Sequence, residues 1–186
     1  PDTQKEAALS GPYLGQVAPG AEPLRFAPGV VATAMYARDI AITPDGKEIY
    51  FGVVLGSYDY ATIAVTREVE GAWTEPEIAS FATDPRYWHI EPAISPDGQR
   101  FFFVSNRPLD GSGPPLAHQD IWAMDREDDG WGEPYNLGPP VNSELGEFFP
   151  SVTNDGTLYF TREDRAKRED LIARARFADG AYTEPE

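Results

Sequence analysis

The chain has 186 residues, 41% of them hydrophobic and 12% aromatic, which is enough to build a packed core. Thirty-one acidic against fifteen basic side chains give a formal charge of -16, a field that repels nucleic acid and anionic membrane surfaces. Cysteine is absent, which excludes disulfides, thiolate chemistry and cysteine-ligated metals, and no apolar run approaches the ~18 residues of a membrane-crossing helix.

Frequent proline (18) and glycine (17) favour many short strands joined by tight turns. Opening on Pro1 instead of methionine is expected of a processed or trimmed chain and is compatible with export. The stretch LRFAPGVV, from Leu24, reads as a single unpaired outer strand. Residues 1–38 are therefore expected to form a lead-in that donates a closing strand to another blade.

From Asp39 onward the chain repeats itself. A first short strand begins at Asp39 (DIAIT), Pro92 (PAISP) and Pro150 (PSVTN), and runs into turns ending at Gly46, Gly98 and Gly156. The turns lie 52 and 58 residues apart. Aspartate bonds its neighbouring backbone in such turns, and glycine accepts positive φ. An aromatic, β-branched second strand follows from Glu48, Arg100 and Thr157, as suits a packed pleated surface. The third strand alternates apolar and polar residues at TIAVTR from Thr62, DIWAMDR from Asp120 and DLIARAR from Asp170. LIARARFA has local helical character, but the repeat register makes it a strand. EDRAKRED, from Glu163, is a charged loop. After glycine loops at Gly71, Gly130 and Gly180, a second marker recurs as WTEP at Trp73, WGEP at Trp131 and YTEP at Tyr182, and it leads to a fourth, outer strand.

Two markers recurring three times in one order define a repeat, and four strands at this period read as a β-propeller blade. The expected fold is all-β, a single domain of antiparallel four-stranded blades at approximately 39–81, 91–140 and 149–186. Tyr50/Phe51, Phe102/Phe103, Tyr159/Phe160, Ile63, Trp122 and Ile172 are expected to fill the cores between blades. Trp73 and Trp131 are expected over the blade edges with their N–H groups on backbone. Propellers have about four to eight blades. Three repeats therefore imply part of a six-bladed ring, completed by further blades of a longer protein or by a second copy.

P-A-I-S-P-D-G from Pro92, F-F-F-V-S-N-R from Phe101 and D-I-W-A-M from Asp120 resemble the TolB-like propeller repeat, a relative of the WD-repeat blade. G-W-G-E-P-Y-N-L-G-P-P-V-N-S from Gly130, E-x-x-P from Glu147 to Pro150, and Y-L-G-Q-V-A-P-G from Tyr13 resemble a subgroup of it. The first copy departs at V-V-L-G and at Ala61, where the others carry Asp120 and Asp170, and the third carries Asn154 for the turn proline. The resemblance implies a periplasmic or otherwise exported propeller. Some of its relatives bind proteins, and related blades occur in peptidases and carbohydrate-active enzymes.

No nucleophile elbow, H-E-x-x-H, P-loop or dinucleotide fingerprint is present. The site residues nominated by the sequence are His89, Glu91, Arg107, Glu147 and Arg162. His89 and Glu91 precede an inner strand, where ligands approach a propeller channel. With Asp84 they offer imidazole and carboxylate ligands to a divalent cation, although a hydrogen-bonded loop histidine is the simpler role. His118 stands near Asp120. Glu91 and Glu147, facing across a channel, would suit acid–base work or cation binding. Arg107 and Arg162 suit a ligand carboxylate, or a neighbouring blade's acidic residues. Asp120 and Asp170 are expected to accept backbone N–H bonds at their strand starts. These features favour a non-catalytic binding or interaction module, with a protein or small polar ligand as partner and neither nucleic acid nor a membrane span. The alternatives are a carbohydrate- or peptide-active enzyme with its site at the channel mouth, and a structural domain of a larger protein.

Overall fold

The structure is a computed structural model describing residues 9–18, 20–128 and 130–186. The beginning of the lead-in (1–8), Pro19 within it, and Asp129 of the expected glycine loop lie outside those residues. Antiparallel strands dominate. The first sheet contains β1 (Tyr36–Ile42), β2 (Glu48–Leu55), β3 (Tyr60–Val69), β4 (Ala72–Trp73) and β5 (Glu77–Ile78). The second contains β6 (His89–Ile94), β7 (Arg100–Ser105), β8 (Asp120–Glu127), β9 (Gly130–Trp131) and β10 (Tyr135–Asn136). The third has only β11 (Gly146–Val152), β12 (Leu158–Asp164) and β13 (Glu169–Ala175). A separate ribbon pairs β14 (Phe177–Ala178) with β15 (Ala181–Tyr182).

The turns explain how each sheet starts. Thr43, Ser95 and Thr153 donate their hydroxyls to Asp45, Asp97 and Asp155 at 2.6, 2.6 and 2.5 Å. The same carboxylates accept the backbone N–H of Lys47, Gln99 and Thr157. Gly46, Gly98 and Gly156 then take positive φ, which a side chain would resist.

The sheets pack face to face through alternating side chains. Tyr50, Ile63 and Val65 of the first meet Phe101, Phe103, Trp122 and Met124 of the second. Phe102, Val104 and Ile121, on the second sheet's other face, meet Leu158, Phe160 and Ala173 of the third. The marker aromatics tie neighbours together. Trp73 donates to the Gly11 carbonyl at 2.9 Å, whereas Trp131 donates to the Tyr50 hydroxyl of the preceding sheet and not to backbone.

Several expectations are corrected. The outer strands shrink to two residues each, β5 and β10, and among the described residues β13 has no such strand beside it, only the Glu186 backbone bonded to Arg174. LRFAPGVV is irregular, with one bridge from Pro28 to Ala32, because Ala27 and Val31 turn inward onto Ile49, Phe51 and Trp73. Ile172 is 82% exposed and Tyr159 37%, since nothing described covers their face of the third sheet. The sheets, uneven at five, five, three and two strands, form no closed ring among the described residues. LIARARFA is strand and not helix, its first five residues in β13 and Phe177–Ala178 in β14, with Arg176 between them.

Candidate functional site

Each inner strand carries the same irregularity. The pairing of β1 with β2 slips between Arg38 and Ile40, that of β6 with β7 between Ile90 and Ala93, and that of β11 with β12 between Phe148 and Ser151. The residues at these bulges, Asp39, Glu91 and Phe149, have φ of 48°, 57° and 55°. A non-glycine residue in that region costs roughly 1–3 kcal/mol, and such strain concentrates where a side chain must be re-aimed.

The bulges gather three blades at one point. Glu91, from the second sheet, accepts Arg38 of the first at 3.1 Å and the Phe149 backbone N–H of the third at 2.6 Å. Burial pushes its carboxyl up to about 7, against the downward pull of the Phe149 N–H and of Arg38. Arg38 also donates to Asp39 and to the Tyr58 hydroxyl. Its guanidinium lies 5.9 Å from the Tyr58 ring and 5.4 Å from the Phe149 ring. Burial opposes the Arg38 charge, but these partners outweigh it and raise its pKa.

Above this node opens a cavity of about 420 Å³ lined by all three blades. Tyr58 and Trp88 form one wall, their rings 5.7 Å apart, and the Trp88 indole N–H is spent on the Tyr58 carbonyl at 3.0 Å. Ile90, Val104, Phe148, Phe149, Gln119 and Ser57 add further lining, and Glu163, paired to Arg165 at 2.7 Å, lines it as well. A cavity of about 490 Å³ lies between the lead-in and β1, but only the lead-in and the first blade line it, and it contains none of the nominated residues.

Of those residues, Glu91 alone lines the three-blade cavity. Glu147 is fully buried elsewhere, accepting Arg162 at 2.9 Å and the Ser143 hydroxyl at 2.6 Å. Burial raises its pKa, while Ser143 and Arg162 oppose the shift. Arg162 also donates to the carbonyls of Pro140 and Val141, so the pair latches the loop that leads from the second sheet into the third and does not reach a carboxylate of the second sheet. His89 is buried, stacks on Phe103 and contacts the Tyr87 carbonyl at 3.2 Å through Nδ1. Burial, then Arg107, lowers it to about 4, so the imidazole is neutral. Arg107 lies 4.1 Å over the Trp122 ring and pairs with no carboxylate among the described residues; burial lowers its pKa. Asp120 accepts the Asn136 side-chain amide at 2.7 Å in place of a backbone N–H, and His118 stands 3.6 Å away. Asp170 is exposed. Asp84 pairs with Arg86, and no group of three potential metal ligands forms among the described residues.

Sequence reasoning missed Arg38, Tyr58, Trp88, Gln119 and Phe149. Aligning the turns places Asp39, Glu91 and Phe149 at one repeat position, and that equivalence is the available signal.

No protein-family model and no curated protein matches the chain. Among solved structures, the TolB candidate of Agrobacterium tumefaciens is similar over 83% of this chain, with a TM-score of 0.54 and 19% identity. The chain spans about half of that structure, 48% of its length. A puromycin-hydrolysing peptidase of Mycobacterium tuberculosis matches over 84% of this chain and 24% of its own, at a TM-score of 0.48 and 16% identity, too loose to carry an argument. The first likeness speaks to the fold alone: an all-β chain of the general β-propeller kind.

Proposed function

We propose that the chain is a non-catalytic binding module. Its blades, approximately 39–81, 91–140 and 149–186 behind the 1–38 lead-in, hold a small polar ligand or a partner's side chain where the inner strands meet. The observation that carries this reading is the cavity of about 420 Å³ built by all three blades, within the ~300–1,000 Å³ of small-molecule sites. Its charged groups are bonded to one another, Glu91 with Arg38 and Glu163 with Arg165, and Glu147, the carboxylate the sequence set opposite Glu91, is held away by Arg162 and Ser143. The resemblance of the repeat to exported propellers supports a periplasmic or extracellular setting.

The blades are part of a six-bladed ring, completed by further blades against the open face of the third sheet. Support comes from one repeat position: Ile63 and Ile121 are each 0% exposed under a following sheet, while Ile172 in the same place is 82% exposed.

Nuclear magnetic resonance with a fragment library tests the binding site. Amide shifts are expected at Tyr58, Trp88, Glu91 and Phe149. Hits confined to the cavity beside the lead-in would sink the reading. So would turnover of chromogenic peptides or glycosides that disappears in Glu91→Gln.

A further inference from the structure

The groups that face the three-blade cavity say what it can hold. Arg38 uses its nitrogens on Asp39, Tyr58 and Glu91. Glu91 uses one oxygen on Arg38 and the other on the Phe149 N–H. Arg165 is bonded to Glu163 and to the Ala117 carbonyl. An anionic ligand therefore meets guanidiniums whose charge is already paired, Arg38 with Asp39 and Glu91 and Arg165 with Glu163, and a cation entering the aromatic walls meets Arg38 against both Tyr58 and Phe149.

Among the polar side chains, neutral hydrogen-bonding groups are what is left, beside the apolar Ile90, Val104 and Phe148. The Gln119 amide and the Ser57 hydroxyl line the cavity, and neither side chain hydrogen-bonds to another described residue. Together they offer donors and acceptors, the combination that a ligand hydroxyl also presents. The Trp88 N–H is occupied, so that residue offers its ring surface and not its donor. Tyr58 and Phe149 add further ring surface.

We propose that this cavity takes a neutral saccharide, with the C–H face of one sugar ring against Trp88 and its hydroxyls bonded to Gln119 and Ser57. The proposal rests on the binding-module reading above and names its ligand class. Aromatic surface receives the apolar face, and uncharged polar groups receive the rim. The mutually neutralised charges fix the walls without selecting an ion.

The test is calorimetric and tryptophan-fluorescence titration of the chain with maltotriose, cellotriose, galactose and N-acetylglucosamine. Glucuronate, glucosamine and a blocked neutral tripeptide serve as the contrasting set. At least one neutral sugar is expected to bind saturably, shift the emission and remain insensitive to salt. Its affinity should fall about tenfold in Gln119→Ala, the loss of roughly one good hydrogen bond. It should fall further in Trp88→Leu, with unfolding curves showing that both variants fold.

Sugar binding unaltered by both substitutions overturns the proposal, because the sugar then sits elsewhere. Binding of only the charged sugars or the peptide, lost in the same variants, overturns the saccharide class and leaves the binding-module reading standing. If none of these probes and no fragment perturbs the cavity residues, both fall.

Discussion

Glu91 joins three blades through one carboxylate: Arg38 on one side, the Phe149 N–H on the other, and its own left-handed bulge beneath. Burial lifts its pKa from the ordinary 4.5 to about 7. The native state then holds a proton that the unfolded chain has already released, so this group's contribution to stability is full at low pH. It declines as pH rises from about 4.5 to about 7. Urea denaturation across that window should show a shallower decline in Glu91→Gln than in the wild type. An identical slope would mean that Glu91 stays ionised throughout. Glu91 was legible as a site residue, but its companions were not. Arg38 and Phe149 lie 53 and 58 positions away and meet it only because the blades stack. Strand alternation also places His89 and Glu91 on one face. The bulge after Ile90 breaks that rule, leaving His89 against Phe103 and sending Glu91 to the junction.

The hydroxyl–aspartate turns show how short sequence signals set whole strands. Asp97 accepts the Ser95 hydroxyl at 2.6 Å and the Gln99 N–H at 3.0 Å, closing the hairpin that registers Ile94 on Phe101. Asp97→Ala removes both bonds and should cost about 1 kcal/mol in chemical denaturation, with the denaturant slope unchanged. A loss near zero would mean that the glycine alone sets the turn. These turns, and the strands either side of them, were readable because their chemistry is local. The outer strands were readable in place, behind the WTEP and WGEP markers, but not in length, because two-residue strands such as β5 and β10 carry no periodicity. The lead-in misled for the opposite reason: LRFAPGVV has strand-like composition, yet Ala27 and Val31 are used as plugs against Phe51 and Trp73.

Across the molecule, one repeat position has two fates. Ile121, beneath the third sheet, is fully buried, and Ile172, at the same place one blade later, is exposed. Ile121→Glu should unfold the chain by burying an unpaired charge. Ile172→Glu should change the stability of the isolated chain by less than about 0.5 kcal/mol. Sedimentation measures the other half of the expectation: Ile172→Glu abolishes any association through that face. Equal destabilisation by both substitutions would mean that the face is already covered within the chain.

The covered and uncovered ends also give the stack a direction. Leu14, Ala27 and Val31 sit on the first sheet's outward face like a stopper, while no described residue covers the third sheet's outward face. Head-to-tail polymerisation needs both ends free, and one is plugged. Two copies can still meet bare end to bare end, but that contact is self-limiting and stops at a pair. The stopper would thus limit the isolated three-sheet stack to pairs, and shaving it away should convert a bounded pairing into open-ended growth in sedimentation.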